Sequence, residues 1–382
     1  MKIMTNIFDD IRPYYESEIP DAVSRIIESE NVSVLLDFFL KKEEIHNLII
    51  SLKTVESVDD FQRKIMIPII EAILQKTSKG IFSKGIENVD LQKNYLFITN
   101  HRDIALDSVF LNYILLKNNY PAAEIAIGNN LLIKPWITDL VRINKSFIVK
   151  RNIQGRELFK ASKILSRYIR YAITEKKSSV WMAQREGRAK DGNDLTQASL
   201  IKMMAMSNTK TNFIESFNEL NILPVSITYE YDPCDVFKAK ELYLIANDPN
   251  YRKTPDDDLM SMKQGILGDK GRICYSFDTL LNYDGFNEVS CNNDLSECIS
   301  KKIDSHIHKN YNLFPTHYIA LDIISKYEKY KDRYTKEERD NFIDLLKYRL
   351  EKIHSDNINK EDIFRLTLEQ YANIARNKLR QG

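Results

Sequence analysis

The sequence lacks three features that mark common protein classes: paired cysteines, an excess of one charge, and long apolar runs. Its four cysteines are scattered, without a CxxC pair or a zinc-ligand spacing, which favours a reduced, intracellular protein. The formal net charge is +1, so nucleic-acid binding through bulk charge is not indicated, and any bound anion must be held by local charge. No apolar run reaches the roughly 20 residues that span a bilayer. We therefore expect a protein that is soluble or lies on a membrane surface.

Nucleotide and metal motifs are also missing. The sequence contains neither a GxxxxGK[ST] loop nor a convincing GxGxxG motif, so an NTPase or a Rossmann dehydrogenase lacks its usual signal. His306 and His308 lie two residues apart in a segment with a helical pattern, whereas ligands at that spacing suit a strand. We predict surface histidines there, no metal site and no resident cofactor.

The order of apolar patterns predicts an α/β fold with helical extensions at both ends. Residues 7–76 carry apolar side chains at helical spacing. After them, short β-branched runs alternate with amphipathic helical segments, the pattern of a mainly parallel twisted sheet flanked by helices. The predicted strands are YLFIT, EIAIG, SFIVK, SVWMA, ILPVSITYE, ELYLIA and RICYSF. We divide the chain into an N-terminal helical region (1–78), an α/β domain (79–290) and a C-terminal helical region (291–382).

One strand end combines a histidine with two nearby carboxylates. His101 follows YLFIT, and Asp103 and Asp107 come just after it. Ligands of open α/β sheets bind beyond the carboxyl ends of strands, where a histidine oriented by an aspartate can serve as a general base. The alternative is that Asn100, Asp103 and Asp107 only cap the following helix. Because no Ser or Cys nucleophile stands out nearby, the base would act on a substrate hydroxyl.

Two further strand ends carry basic or glycine-containing loops. Lys150 and Arg151 directly follow SFIV, and Glu186, Gly187 and Arg188 lie in the loop after SVWMA. Lysine and arginine suit phosphate recognition, and glycine allows a tight backbone near a ligand. Both groups could equally be charges of ordinary solvated loops.

Four motifs in this order resemble the glycerolphosphate acyltransferase family, the PlsC-like enzymes that acylate glycerol-3-phosphate or 1-acylglycerol-3-phosphate. They are NHRDIALD, SFIVKR, REGRAKDG and LPVSITYE, and the resemblance covers about residues 80–280. Two details depart from the family pattern. The family has four residues between His and Asp, which would place the Asp at Leu106, but here five residues separate His101 from Asp107. The loop also lacks the Thr that the family has between Gly187 and Arg188.

The resemblance implies acyl transfer without a covalent enzyme intermediate. His101 would be the general base, oriented by Asp107 or, less favoured, by Asp103. Lys150 and Arg151 would bind the acceptor's phosphate, and the 186–188 loop would position the acceptor. The implied partners are acyl-CoA or acyl carrier protein as co-substrate, a glycerophosphate or lysolipid acceptor, and a membrane surface, but no nucleic acid.

Several alternatives remain open from the sequence. The altered spacing is compatible with another acceptor, such as a lyso-aminolipid or lysophospholipid, or with a non-catalytic lipid-binding protein on the same fold. The N-terminal segments LLDFFLKKEEIHNLIISLK and FQRKIMIPIIEAILQ either lie in a membrane interface or pack on the α/β domain. We expect a cytoplasmic location, peripheral at the inner face of the membrane.

Overall fold

The architecture is a seven-stranded, mostly parallel sheet with helices on both faces. The computed structural model describes residues 7–29, 40–132, 134–207, 212–286, 294–353 and 358–382. The strands are β1 (Ile81–Lys84), β2 (Leu96–Thr99), β3 (Glu124–Gly128), β4 (Ser146–Val149), β5 (Val180–Ala183), β6 (Ile222–Tyr229) and β7 (Ile273–Phe277). Their spatial order is β1-β7-β6-β2-β5-β3-β4. Strand β6 runs antiparallel to β7, and every other neighbouring pair is parallel, so the predicted mainly parallel sheet is confirmed.

The helices occupy the connections between strands and both ends of the chain. In chain order they are α1 (Ile19–Ile27), α2 (Lys42–Leu52), α3 (Val58–Phe61), α4 (Ile67–Thr77), α5 (Leu106–Lys117), α6 (Pro135–Ile143), α7 (Gly155–Thr174), α8 (Ala198–Ala205), α9 (Phe213–Asn218), α10 (Asp235–Asn247), α11 (Pro255–Leu267), α12 (Leu295–Lys309), α13 (Pro315–Ser325), α14 (Lys336–Glu351) and α15 (Lys360–Leu379). A π-helical segment, Gln62–Met66, joins α3 to α4. Within the described ranges, no helix is long and apolar enough to cross a membrane.

Strand β2 is buried on both faces, which explains its continuous apolar sequence. Leu96 and Ile98 pack in one core cluster with α7, while Phe97 packs in the opposite cluster with α5. Side chains alternate between the faces of a strand, so helices on both sides of the sheet require apolar residues at every position. This central strand delivers its last residues to the middle of the sheet's carboxyl edge.

The N-terminal helices pack on their neighbours. Ile45, Leu48 and Leu52 of α2 are buried in a cluster with Phe61, Ile65 and, from α6 of the α/β domain, Ile143. Of the two alternatives left open for these segments, packing is therefore observed for residues 42–52. The preceding residues 30–39, which carry most of the VSVLLDFFL run, lie outside the described ranges.

Some sequence-based predictions are wrong. ELYLIA belongs to α10 rather than to a strand, because Val236 and Ala239 pack at helical spacing against C-terminal helices. His306 and His308 do lie on a helix. The expected surface position is wrong for His308, which is buried, whereas His306 is 23% exposed and bonds to Asp278. The expectation of reduced thiols fails at Cys298, which is disulfide-bonded.

Candidate active site

The loop after β2 is tied to the neighbouring strand β6. The buried side chain of Asn100 donates to the backbone carbonyl of Ile227 at 2.9 Å and accepts from the Ile227 amide at 2.7 Å. On the other side, the Trp181 indole donates to the Thr99 hydroxyl at 3.1 Å. These bonds fix the backbone on which His101 follows, at the carboxyl end of the central strand.

His101 and Asp107 form a hydrogen-bonded pair. His101 Nδ1 lies 2.8 Å from Asp107 Oδ2, and the His101 side chain is 13% exposed whereas Asp107 is fully buried. The same Asp107 oxygen accepts from the backbone amides of Arg102 at 2.6 Å and Asp103 at 2.9 Å. The Tyr229 hydroxyl donates to the other oxygen, Oδ1, at 3.2 Å. Asp107, and not Asp103, is therefore the carboxylate in contact with the histidine.

The donors around Asp107 determine which ring nitrogen of His101 carries the proton. With the carboxylate accepting from two amides and a tyrosine hydroxyl, the favourable arrangement has His101 Nδ1–H donating to Oδ2. The other ring nitrogen, Nε2, then keeps a free lone pair. A base oriented by a buried carboxylate in this way is suited to take a proton from a hydroxyl group.

Asp103 serves a local structural purpose. Its Oδ1 accepts from the backbone amides of Ala105 at 2.9 Å and Leu106 at 2.8 Å, which caps the start of α5. Its Oδ2 is buried without a hydrogen-bond partner in the part of the chain that the structure describes. Burial, followed by the charge of Asp107, raises the pKa of Asp103. The helix-capping alternative thus holds for Asp103.

The extra residue between His101 and Asp107 is absorbed at the helix start. Leu106, the first residue of α5, turns into the core with Phe97 and Phe110. Asp107, the second residue, can then point back to the amides of the loop and to His101. The longer spacing therefore does not prevent the His–Asp contact.

A large apolar cavity opens beside His101. It has a volume of about 1,230 Å³, above the roughly 300–1,000 Å³ typical of ligand pockets. Its walls come from the N-terminal helices, α5, α7 and α11, and include Leu52, Ile69, Val109, Leu165 and Ile266. The cavity can accommodate a long apolar chain whose reacting end reaches His101.

The remaining predicted site residues line the same cavity: Lys150, Arg151, Glu186, Gly187 and Arg188. Lys150 Nζ lies 3.4 Å from the Asp10 carboxylate, and both side chains are substantially exposed. The Arg151 guanidinium is 3.7 Å from Glu186. Lys150, Arg151 and Arg188 are thus among the basic side chains that line the same cavity as His101.

Arg188 and Gly187 differ from the exposed bases. Arg188 is 7% exposed, and its Nη1 atom has no hydrogen-bond partner among the described residues. Gly187 has a φ of +69°, and no other atom of the described residues lies within 4 Å of where a Cβ would stand. A buried guanidinium with an unused donor, next to an open backbone, can receive an anionic group.

Tyr229 and Tyr275 are site residues without an assigned role from the sequence. Tyr229 ends β6 and bonds to the Asp107 carboxylate, while the Tyr275 hydroxyl donates to the Asp107 backbone carbonyl at 2.9 Å. In the sequence, the position of Tyr229 at the end of a predicted strand was the signal that could have identified it as a site residue. Its neighbour Glu230 is instead ion-paired with Arg272 at 2.7 Å.

Comparison with known proteins finds a family match and distant relatives. Residues 80–228 match the family model described as Acyltransferase. The dihydroxyacetone phosphate acyltransferase of Oryctolagus cuniculus is 24% identical over 216 residues, covering 50% of this chain and 31% of the relative. That of Homo sapiens is 23% identical over 223 residues, covering 55% of this chain and 32% of the relative. The chain thus spans about a third of the length of these relatives.

A solved structure is also similar. It is the 1-acyl-sn-glycerophosphate (LPA) acyltransferase PlsC from Thermotoga maritima, with 12% sequence identity and a TM-score of 0.38. The match covers 76% of this chain and 97% of that one.

Proposed function

We propose that the chain, whose residues 80–228 match the Acyltransferase family model, transfers a fatty acyl group from a thioester to a hydroxyl of a glycerolipid precursor. The proposed donor is acyl-CoA or acyl carrier protein. The proposed acceptor is glycerol-3-phosphate or lysophosphatidate, and dihydroxyacetone phosphate joins them because the relatives are named for it. The proposed reaction uses no resident cofactor.

The observation that supports this proposal is the position of the His101–Asp107 pair. It lies at the carboxyl end of the central strand and opens into the apolar cavity. Acyl transfer to a hydroxyl needs a base for the hydroxyl proton and a site for a long apolar chain. The His101–Asp107 pair and the apolar cavity support the proposal because they would meet these two needs, and the basic side chains of the same cavity would bind the phosphate.

In the proposed mechanism, the acceptor hydroxyl attacks the thioester carbonyl directly. His101 Nε2 takes the hydroxyl proton as the new C–O bond forms, and Asp107 stabilises the resulting imidazolium. Collapse of the tetrahedral intermediate breaks the C–S bond, and the imidazolium returns the proton to the leaving thiolate. A positioned general base contributes roughly 10²–10⁴ in rate.

The acceptor's phosphate is proposed to bind Arg188, assisted by Arg151 and Lys150. Among the described residues, no group accepts from Nη1 of the buried Arg188, and this donor would gain more from an anion than an exposed side chain does, because water competes less. The exposed Lys150 and Arg151 would mainly attract the anion to the cavity.

We further propose that α7 contacts a membrane, at the inner face, from which lipid substrates enter. Residues 154–160, at the start of α7, are all exposed. Among them Leu158 is 47% and Phe159 is 62% exposed, and Leu158 also lines the cavity. The flanking side chains Arg156 and Lys160 are basic and exposed, so the surface combines apolar and positive groups as interfacial helices do.

An acceptor panel tests the proposed function. Purified protein is given one long-chain acyl-CoA or acyl carrier protein with each acceptor, and the acylated product is identified by mass spectrometry. We expect phosphate-bearing acceptors to be acylated. Faster turnover of a phosphate-free lyso-aminolipid would favour the alternative acceptor. Binding of acyl-CoA without acylation of any acceptor would favour a lipid-binding protein.

A further inference from the structure

The loop that follows β5 is hydrogen-bonded to the C-terminal helix α15. The Asn373 side chain donates to the backbone carbonyl of Asp191 at 2.8 Å, and the Asn377 side chain donates to that of Asn193 at 3.1 Å. Both carbonyls belong to the same loop as Glu186, Gly187 and Arg188. Helix α15 lies outside the 80–228 match to the family model.

Helix α12 holds the same loop from a second direction. His308 Nε2 lies 3.1 Å from the Asn193 carbonyl and 3.2 Å from the Asp194 carbonyl. One Asp304 oxygen accepts from both the amide, at 2.7 Å, and the hydroxyl of Thr196. Side chains of two C-terminal helices therefore bond to backbone groups of loop residues 191, 193, 194 and 196.

Gly192 shows how closely the loop approaches α15. Its φ is +77°, and a Cβ at this position would overlap the backbone carbonyl of Gln370. Any larger residue would force the loop away from the helix.

The loop is in turn linked to the His–Asp pair. Asp194 is ion-paired with the buried guanidinium of Arg102 and also accepts from the Tyr311 hydroxyl. The backbone amide of Arg102 donates to Asp107 at 2.6 Å. A continuous set of bonds thus runs from α12 and α15 through Asp194 to the partner of His101.

We propose that α12 and α15 form a clamp that positions the acceptor-binding loop, with Asn373, Asn377, His308 and Asp194 as positioning residues. This inference rests on the proposed function for its kinetic consequence. The clamp sets where Arg188 meets the acceptor phosphate, so loosening it weakens acceptor binding more than donor binding.

The first test is the double variant Asn373→Ala/Asn377→Ala, which removes two bonds to the loop and replaces both residues by the best helix former. We expect the KM of the acceptor to rise about tenfold, the equivalent of a net hydrogen bond, while the KM of acyl-CoA stays within about twofold. The matched control is Ser305→Ala on α12, which removes a 2.7 Å bond to Gln381 without touching the loop. It should leave both KM values unchanged.

A second pair of variants separates loop displacement from general strain. Gly192→Ala and Gly85→Ala both place a side chain at positive φ and both overlap a backbone carbonyl, that of Gln370 and that of Phe277 respectively. Only Gly192→Ala pushes the loop from α15, so only it should raise the KM of the acceptor. The proposal would be overturned if folded Gly192→Ala and the folded double variant had the same acceptor KM as wild type. It would also be overturned if Gly85→Ala raised the acceptor KM as much as Gly192→Ala does.

Hydrogen exchange provides a readout that does not depend on activity. In the double variant, the amides of residues 191–197 should exchange at least about fivefold faster than in wild type, because the Asp191 and Asn193 carbonyls lose the side-chain donors that tie the loop to α15 and the loop opens more often. Unchanged exchange there would overturn the clamp. A wild-type protein that acylates no acceptor but shows the faster exchange in the variant would instead contradict the proposed function alone.

Discussion

The replacement Asp107→Asn most sharply distinguishes the role of Asp107 from that of Asp103, the other carboxylate near His101. In the structure three donors converge on Asp107 Oδ2: His101 Nδ1–H and the amides of Arg102 and Asp103. An asparagine can keep its oxygen toward these donors, so the loop is preserved, but the negative charge that stabilises the imidazolium is lost. If the asparagine side chain takes the opposite orientation, its NH₂ group faces these donors. His101 Nδ1 must then accept a hydrogen bond, which moves the ring proton to Nε2.

The expected loss follows from what the charge contributes. A general base contributes roughly 10²–10⁴ in rate, equivalent to about 3–5 kcal/mol at 1.36 kcal/mol per tenfold. We therefore expect Asp107→Asn to lower kcat by at least about a hundredfold with a smaller change in KM. The assay is continuous detection of the thiol released from acyl-CoA, with thermal unfolding measured on the same samples.

Asp103→Asn is the matched control. The Asp103 Oδ1 that caps α5 can be kept as the amide oxygen, while the unpartnered Oδ2 becomes the NH₂ group. Burial and the nearby charge of Asp107 already raise the pKa of Asp103, so removing the charge of Asp103 should change the rate of acyl transfer little. We expect kcat within about threefold of wild type. Equal losses in the two variants, or nearly full activity in Asp107→Asn, would refute the assigned partner.

Two further predictions concern buried side chains. Tyr229→Phe removes the 3.2 Å bond to Asp107 Oδ1 and should lower kcat about three- to tenfold, because the bond is to a charged group but is long. Tyr275→Phe removes a bond to the Asp107 backbone carbonyl and an interaction with the Tyr229 hydroxyl; both partners are neutral, so its effect in the same assay should be smaller. Burial lowers the pKa of His317 from 6.5 to about 3, so between these values the unfolded chain binds a proton that the folded protein does not. Stability should then decrease as the pH is lowered below 6.5, by up to about 1.4 kcal/mol per pH unit, which amounts to about 1.6 kcal/mol between pH 6.5 and pH 5. The free energy of unfolding of His317→Asn, measured with urea at each pH, should lack this contribution to the pH dependence. The same pH dependence in wild type and variant would contradict the prediction.

The sheet was largely predictable because its central strands are strongly apolar and separated by clear helical patterns. Strand β1 was missed because it lies at the sheet edge with alternate positions exposed, so it lacks the continuous apolar run of the equally short central strand β2. Its pairing with β7 joins residues almost 200 positions apart, which no local pattern reveals. The segment ELYLIA was wrongly predicted to be a strand because six residues are too few to distinguish a strand from one face of a helix.

The candidate site was predictable in its residues but not in its connections. The sequence left Asp103 and Asp107 as alternative partners of His101, and only the rotation of α5 at Leu106 decides which one makes contact. Tyr229 and Asp194 reach the site through contacts that join distant parts of the chain. Such long-range bonds depend on packing, which a single sequence does not encode in any local motif.

The most direct test of the central claim is the rate of acyl transfer by His101→Ala. Transfer from a long-chain acyl-CoA to glycerol-3-phosphate, or to the best acceptor in the panel, is compared with wild type under saturating substrates, with the folded state of the variant checked by thermal unfolding. If His101 is the general base, the folded variant should retain about 1% of the wild-type rate or less. A folded His101→Ala protein that keeps most of the activity would contradict the account.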